Sequence, residues 1–179
     1  MTNENEFKKK GTLLIAEDEI ELRDVLVELL QPIADEIQVA GNGQEALQMV
    51  LTGQIDAVLT DIKMPVLTGL QFLAEIRSRF IQTPVIVLTG QGDFANVQEA
   101  LRLDATDFAE KPAEKGYLTS AVSKALVYGL ALREIESDIE AIYAESKLPA
   151  DQIAKLKKIK RITLGMKLGF STYITKKVS

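Results

Sequence analysis

The chain has 179 residues, 46% of them hydrophobic, and a formal net charge of -5, which is material for one sizeable core plus an appendage at about one domain per 100 to 200 residues. It contains no cysteine and no histidine, which excludes disulfides, thiolate zinc sites, thiol nucleophiles, an imidazole base or ligand, and phosphohistidine chemistry within the chain. The polar N-terminus lacks a signal-peptide core, and no run of about 18 apolar residues exists to cross a bilayer, so a soluble, cytoplasmic protein is expected.

In chain order, residues 1–10 read as a flexible N-terminus. Leu13-Leu14-Ile15-Ala16 is then an apolar run that ends abruptly in Glu17-Asp18-Glu19, followed by Leu22, Val25, Leu26 and Leu29 at helical spacing. The alternation repeats with Ile37 to Ala40, the turn signal Asn42-Gly43, and Ala46, Leu47, Val50 and Leu51. A third strand, Ala57-Val58-Leu59-Thr60, ends at Asp61, and after Lys63-Met64-Pro65 a helix carries Leu70, Leu73 and Ala74. Pro84 to Leu88 follows, ending in Thr89-Gly90, with Val97, Ala100 and Leu101 on the next helix; a short fifth strand near Asp107-Phe108-Ala109 runs into Lys111-Pro112.

Five apolar strands alternating with helices predict an α/β domain, a doubly wound five-stranded parallel sheet covered on both faces, over residues 11–130. Ligands of such sheets sit beyond the carboxyl ends of the strands. Glu17, Asp18, Asp61, Thr89 and Lys111 fall there. Three carboxylates in one crevice repel each other unless a cation neutralises them, and oxygen-only ligands favour Mg²⁺ (or Mn²⁺) over zinc or copper. Such a site recruits phosphate oxygens, and a carboxylate nucleophile assisted by a Lys ammonium and a small hydroxyl suits phosphoryl transfer.

Taken singly, Asp61 reads as a turn or cap residue, Thr89 as a helix cap, Lys111 as a solvated charge and Phe108 as ordinary core. Together, the run Leu14 to Glu19, the block Leu59-Thr60-Asp61-Ile62-Lys63-Met64-Pro65 with Gly69, then Val87-Leu88-Thr89-Gly90, and Phe108-Ala109-Glu110-Lys111-Pro112 resemble the receivers of bacterial two-component systems, whose fold is flavodoxin-like. The resemblance covers about residues 11–130 in the family's order and spacing. It implies that Asp61 is the phosphoacceptor, and that Glu17, Asp18, Asp61 and the backbone carbonyl of Lys63 bind Mg²⁺. It further implies that Thr89 hydrogen-bonds the phosphoryl group, that Lys111 pairs with it, and that Phe108 is the switch aromatic, turning inward as the threonine moves. The same resemblance implies a cis bond at Lys111-Pro112 and a role for Lys63 and Gln91 in phosphoryl lifetime. Asp104-Ala105 departs from the usual Gly-Ala, so the preceding helix is expected to run longer or turn differently. The donor would be a histidine kinase or phosphotransfer protein, and the chain itself a switch rather than an enzyme. A phosphatase with a strand-end Asp nucleophile is the enzyme alternative, but Asp61-Ile62-Lys63 lacks that pattern's second Asp.

From Leu118, apolar residues recur at spacings of three and four through Ala121, Ala125, Tyr128, Leu132, Ile135, Ile139 and Ile142, four heptads. An all-helical extension is therefore expected: a long helix over 131–147, a coiled-coil candidate able to form a homodimer, with the sheet out of reach beyond about Leu132. Leu148-Pro149 breaks it, and 148–179 forms a basic amphipathic segment. Charge is lopsided, with 13 basic and 25 acidic residues up to Pro149 but eight basic and one acidic after it. Such a tail suits an acidic protein surface, this chain's own receiver included, an anionic membrane or nucleic acid. It looks too short for a recognition-helix module, so DNA binding is the alternative output and dimerisation or partner docking the favoured one.

Overall fold

The computed structural model describes residues 11–146 together with Pro149, Asp151, Gln152, Lys155 and Ile159. The expectations for residues 1–10, for the side chain of Ile142 and for most of 148–179 lie outside the described residues. Five strands alternate with five helices: β1 Thr12–Ala16, α1 Ile20–Leu30, β2 Glu36–Ala40, α2 Gly43–Thr52, β3 Ala57–Asp61, α3 Gly69–Ser78, β4 Val85–Thr89, α4 Phe94–Arg102, β5 Asp107–Glu110 and α5 Lys115–Ser146, with a single 3-10 turn at Gln31–Ile33. All strand pairings are parallel, in the order β2-β1-β3-β4-β5. The doubly wound sheet is the one expected.

Successive side chains of a strand point to opposite faces, so each central strand feeds two cores. Leu14, Ala16, Val58, Val85 and Val87 pack with Ala46, Leu47, Phe72, Leu73, Ile76 and Ala100 from α2, α3 and α4. On the other face Leu13, Ile15, Leu59, Ile86 and Leu88 meet Leu26 and Leu30 of α1 and Leu118, Val122, Ala125 and Leu126 of α5. Every residue of β3 and β4 is buried, which is why those strands read as unbroken apolar runs up to their last residue.

The turn before β5 differs from expectation. Asp104 adopts a left-handed conformation (φ 68) directly after α4 and its cap, Leu103, and the Ala105 N–H closes onto the Ala100 carbonyl at 2.9 Å. The helix is not prolonged. Asp tolerates this region better than most residues, and the Asp104 carbonyl accepts from the Arg77 guanidinium at 3.0 Å. The peptide bond Lys111-Pro112 is cis.

The last helix is continuous for 32 residues. It runs back along the sheet, and contact with the domain reaches Arg133, at the expected limit near Leu132. Arg133 Nη1 lies 3.1 Å from Oδ1 of Asp56, a buried carboxylate at the entrance to β3 that also accepts the Thr12 N–H at 2.8 Å. Gly129 permits this approach: a Cβ there would stand 1.7 Å from the Asp56 carbonyl oxygen. A glycine inside a helix costs about 1 kcal/mol relative to alanine, and here its missing side chain lets α5 lie against the strand.

Candidate functional site

The carboxyl ends of β1, β3, β4 and β5 place the polar residues. Glu17 follows β1 and is held there by its own N–H on the Ala40 carbonyl at 3.0 Å. Asp61 is the final residue of β3, and its Oδ2 accepts the Lys63 N–H at 2.9 Å, which orients the carboxylate over the loop. That loop is tight because α3 starts with Gly69, whose N–H bonds the Ile62 carbonyl at 3.0 Å and where a Cβ would fall 2.0 Å from the Asp61 carbonyl. A reciprocal cap between Thr68 and Gln71 fixes the start of that helix. Thr89, buried, ends β4 one residue past Leu88, the register partner of Asp61. The Lys111 N–H bonds the Thr89 carbonyl at 2.7 Å.

These positions converge. Glu17, Asp18 and Asp61 each offer a carboxylate oxygen, and the three lie within 4.8 Å of one another. Glu17 and Asp61 are buried, whereas Asp18 is exposed. Lys111 Nζ sits 2.8 Å from Glu17 Oε2 and 2.8 Å from Asp61 Oδ1, bridging two carboxylates that would otherwise repel. Burial pushes the Glu17 carboxyl above its ordinary range despite the Lys111 ammonium, and the nearby Asp61 adds to the rise. For Lys111 burial works against the charge, but its bonds to Asp61 and Glu17 outweigh it and raise the ammonium's pKa. The donor set is oxygen-only and anionic, which fits a hard divalent cation.

Phe108 lies on β5 with 37% of its surface exposed, so its ring faces outward in this structure. Several neighbours had no signal in the sequence. Glu110 Oε1 accepts the Gly92 N–H at 3.0 Å, tying the loop after β4 to β5. The Tyr117 hydroxyl shares its one proton between Asp107 Oδ1 at 2.9 Å and the Phe108 carbonyl at 3.1 Å, clasping the first turn of α5 onto the strand that carries Phe108. Arg23 donates to the Glu17 carbonyl at 3.3 Å. Lys63 and Gln91 are both exposed near the crevice.

Residues 13–123 match the family model of the response regulator receiver domain. The chain belongs to that family. The receiver is 30% identical over 117 residues to the transcriptional regulatory protein FixJ of Bradyrhizobium diazoefficiens, covering 65% of this chain and 57% of that one. It is 35% identical over 123 residues to the regulatory protein AtoC of Escherichia coli, covering 69% of this chain and 27% of the relative. Among solved structures, FixJ-N superimposes with a TM-score of 0.61 at 28% identity, over 65% of this chain and 93% of that one. A Francisella receiver domain, that of response regulator 1452, gives the same score and identity over 65% and 96%. The chain thus spans little more than half the length of FixJ and about a quarter of AtoC. It carries the receiver of a two-component response regulator, a phosphorylation-dependent signalling switch. No helix among the described residues is long and apolar enough to cross a membrane.

Proposed function

We propose that this receiver accepts a phosphoryl group on Asp61 from the phosphohistidine of a partner kinase or phosphotransfer protein, and passes the signal on through α5. The observation that carries the reading is the cluster itself: three carboxylates within 4.8 Å of one another and one ammonium 2.8 Å from the acceptor oxygen. Glu17, Asp18, Asp61 and the Lys63 carbonyl hold Mg²⁺ or Mn²⁺, which when bound draws charge from the transferring phosphoryl oxygens. Asp61 supplies the nucleophile: an Asp61 oxygen–phosphorus bond forms as the donor's nitrogen–phosphorus bond breaks, and the departing imidazole keeps the electron pair and takes a proton. Lys111 is placed to transfer its ion pair from Asp61 to the new phosphoryl oxygens, and the Thr89 hydroxyl to donate to another. Movement of Thr89 then leaves room for Phe108 to turn inward, a two-state change read at β5 and α5. None of the 179 residues is a histidine, so the donor imidazole lies outside this sequence, and the exchange takes place in the cytoplasm.

The test is intact-mass spectrometry after incubation with acetyl phosphate, with and without Mg²⁺, beside Asp61→Asn. One Mg²⁺-dependent phosphoryl adduct missing from the variant supports the assignment, and no adduct under any condition overturns it. Light scattering on the same samples reads whether phosphorylation changes self-association through α5, the favoured output. Transcriptional control through DNA is the second reading, favoured by similarity to the transcriptional regulatory proteins FixJ and the Haemophilus influenzae CpxR homolog, the latter 32% identical over 163 residues. Retention on duplex DNA with a steep salt dependence would select it.

A further inference from the structure

Beyond Arg133, α5 leaves the sheet, yet Ile139 is only 2% exposed. It lies six residues further along, about 9 Å at 1.5 Å per residue, and it belongs to neither of the two core clusters. The residues around it, Glu134, Glu136, Asp138 and Glu140, are exposed. Neighbours on its own helix cannot enclose an isoleucine, because they shield only its flanks; full cover needs a second element laid against that face. Only one chain is present, so the cover comes from this chain.

We infer that the acidic, apolar-striped extension of α5 is the docking surface for the chain's own basic segment 150–164, packed against it as an antiparallel helical hairpin. Pro149 marks the turn, the Gln152 N–H bonds its carbonyl at 3.0 Å, and Asp151, Gln152, Lys155 and Ile159 are helical. About fifteen residues of helix reach roughly 22 Å, the length of α5 from Ser146 back to Arg133. Charge agrees: four acidic residues line 134–140, and Lys155, Lys157, Lys158, Lys160 and Arg161 fall in the opposing stretch. Ile159 is 59% exposed, and the segment offers Ile153, Leu156, Ile162 and Leu164 as further apolar residues for the stripe. A second protein or a second copy reaching for that stripe must displace the tail. The inference goes beyond the phosphoryl reading and is tested without any phosphodonor.

Because the chain has no cysteine, Asp138→Cys with Lys160→Cys in the full chain can be joined by a short bismaleimide and the product weighed, using a mixture of light and isotope-labelled protein. Most molecules should carry the link within one chain. In parallel, Ile153→Asp with Leu156→Asp should raise amide exchange over 134–141 by roughly 10- to 100-fold, what uncovering one or two aliphatic side chains does to a local opening equilibrium. Amides of Val58 to Asp61 serve as the unchanged control. Links between light and heavy chains would show a second copy as the occupant and overturn the inference. So would exchange that ignores the double variant but rises when residues 1–10 are removed, or exchange that responds to neither.

Discussion

Replacing Gly129 with alanine sets two opposing terms against each other. Helix propensity alone favours alanine by about 1 kcal/mol. The added methyl, however, would stand 1.7 Å from the Asp56 carbonyl oxygen and 2.6 Å from its carbon. Both atoms belong to the backbone, so relief requires α5 to move outward by roughly 1.5 Å, to ordinary contact distance. Overpacking of this kind costs about 1–3 kcal/mol. The shift also stretches the Arg133–Asp56 pair and leaves a buried carboxylate less well compensated; because Arg133 is half exposed, solvent takes up part of that loss. The net expectation for Gly129→Ala is a destabilisation of about 1–3 kcal/mol, a fall in Tm of roughly 4–12 °C for a domain of this size. Thermal and urea unfolding followed by circular dichroism measure it. Acetyl-phosphate labelling of Asp61 should be retained, because the perturbed contact is at the other end of the sheet from the carboxylates. A Tm that rises by about 4 °C would mean that propensity wins and that α5 does not approach β3 as closely as described.

Burial and the bond to the Asp107 carboxylate push the Tyr117 hydroxyl up to about 12. In the unfolded chain it ionises near 10, so its stabilising contribution is complete below pH 10 and lost as pH rises towards 12; Tyr117→Phe should flatten the decline of stability across that window, with Asp107 the carboxylate that its hydroxyl meets. Lys111→Met leaves Glu17 and Asp61 facing each other without a cation; the variant should melt lower than the parent in chelator and regain more stability than the parent on adding Mg²⁺.

The fold was readable because burial on both faces turns β1, β3 and β4 into unbroken apolar runs, and because each run ends in a polar residue that the parallel arrangement sends to one edge. Glu17, Asp18, Asp61 and Lys111 meet there as their positions at strand ends required. What escaped was contact between residues distant in the chain and lacking a local pattern. Asp56 and Arg133 are 77 positions apart, and their pairing depends on where α5 passes β3, which periodicity does not report. The heptad stripe likewise says which face of α5 is apolar but not which residue at the edge of the sheet Arg133 meets. Nothing in the sequence around Tyr117 marks it; only the position of β5 turns its hydroxyl into a clasp beside Phe108. At Asp104 the missing glycine was visible, whereas the tolerance of aspartate for a left-handed backbone decided the outcome.

The chemistry sits at the carboxyl ends of the strands, while α5, running antiparallel to them, departs past Asp56 at their amino ends. The molecule therefore has two poles: the acidic crevice lies at one end of the sheet, and the Arg133–Asp56 contact that seats the far part of α5 lies at the other, so a substitution at either pole can be made without touching the residues of the other.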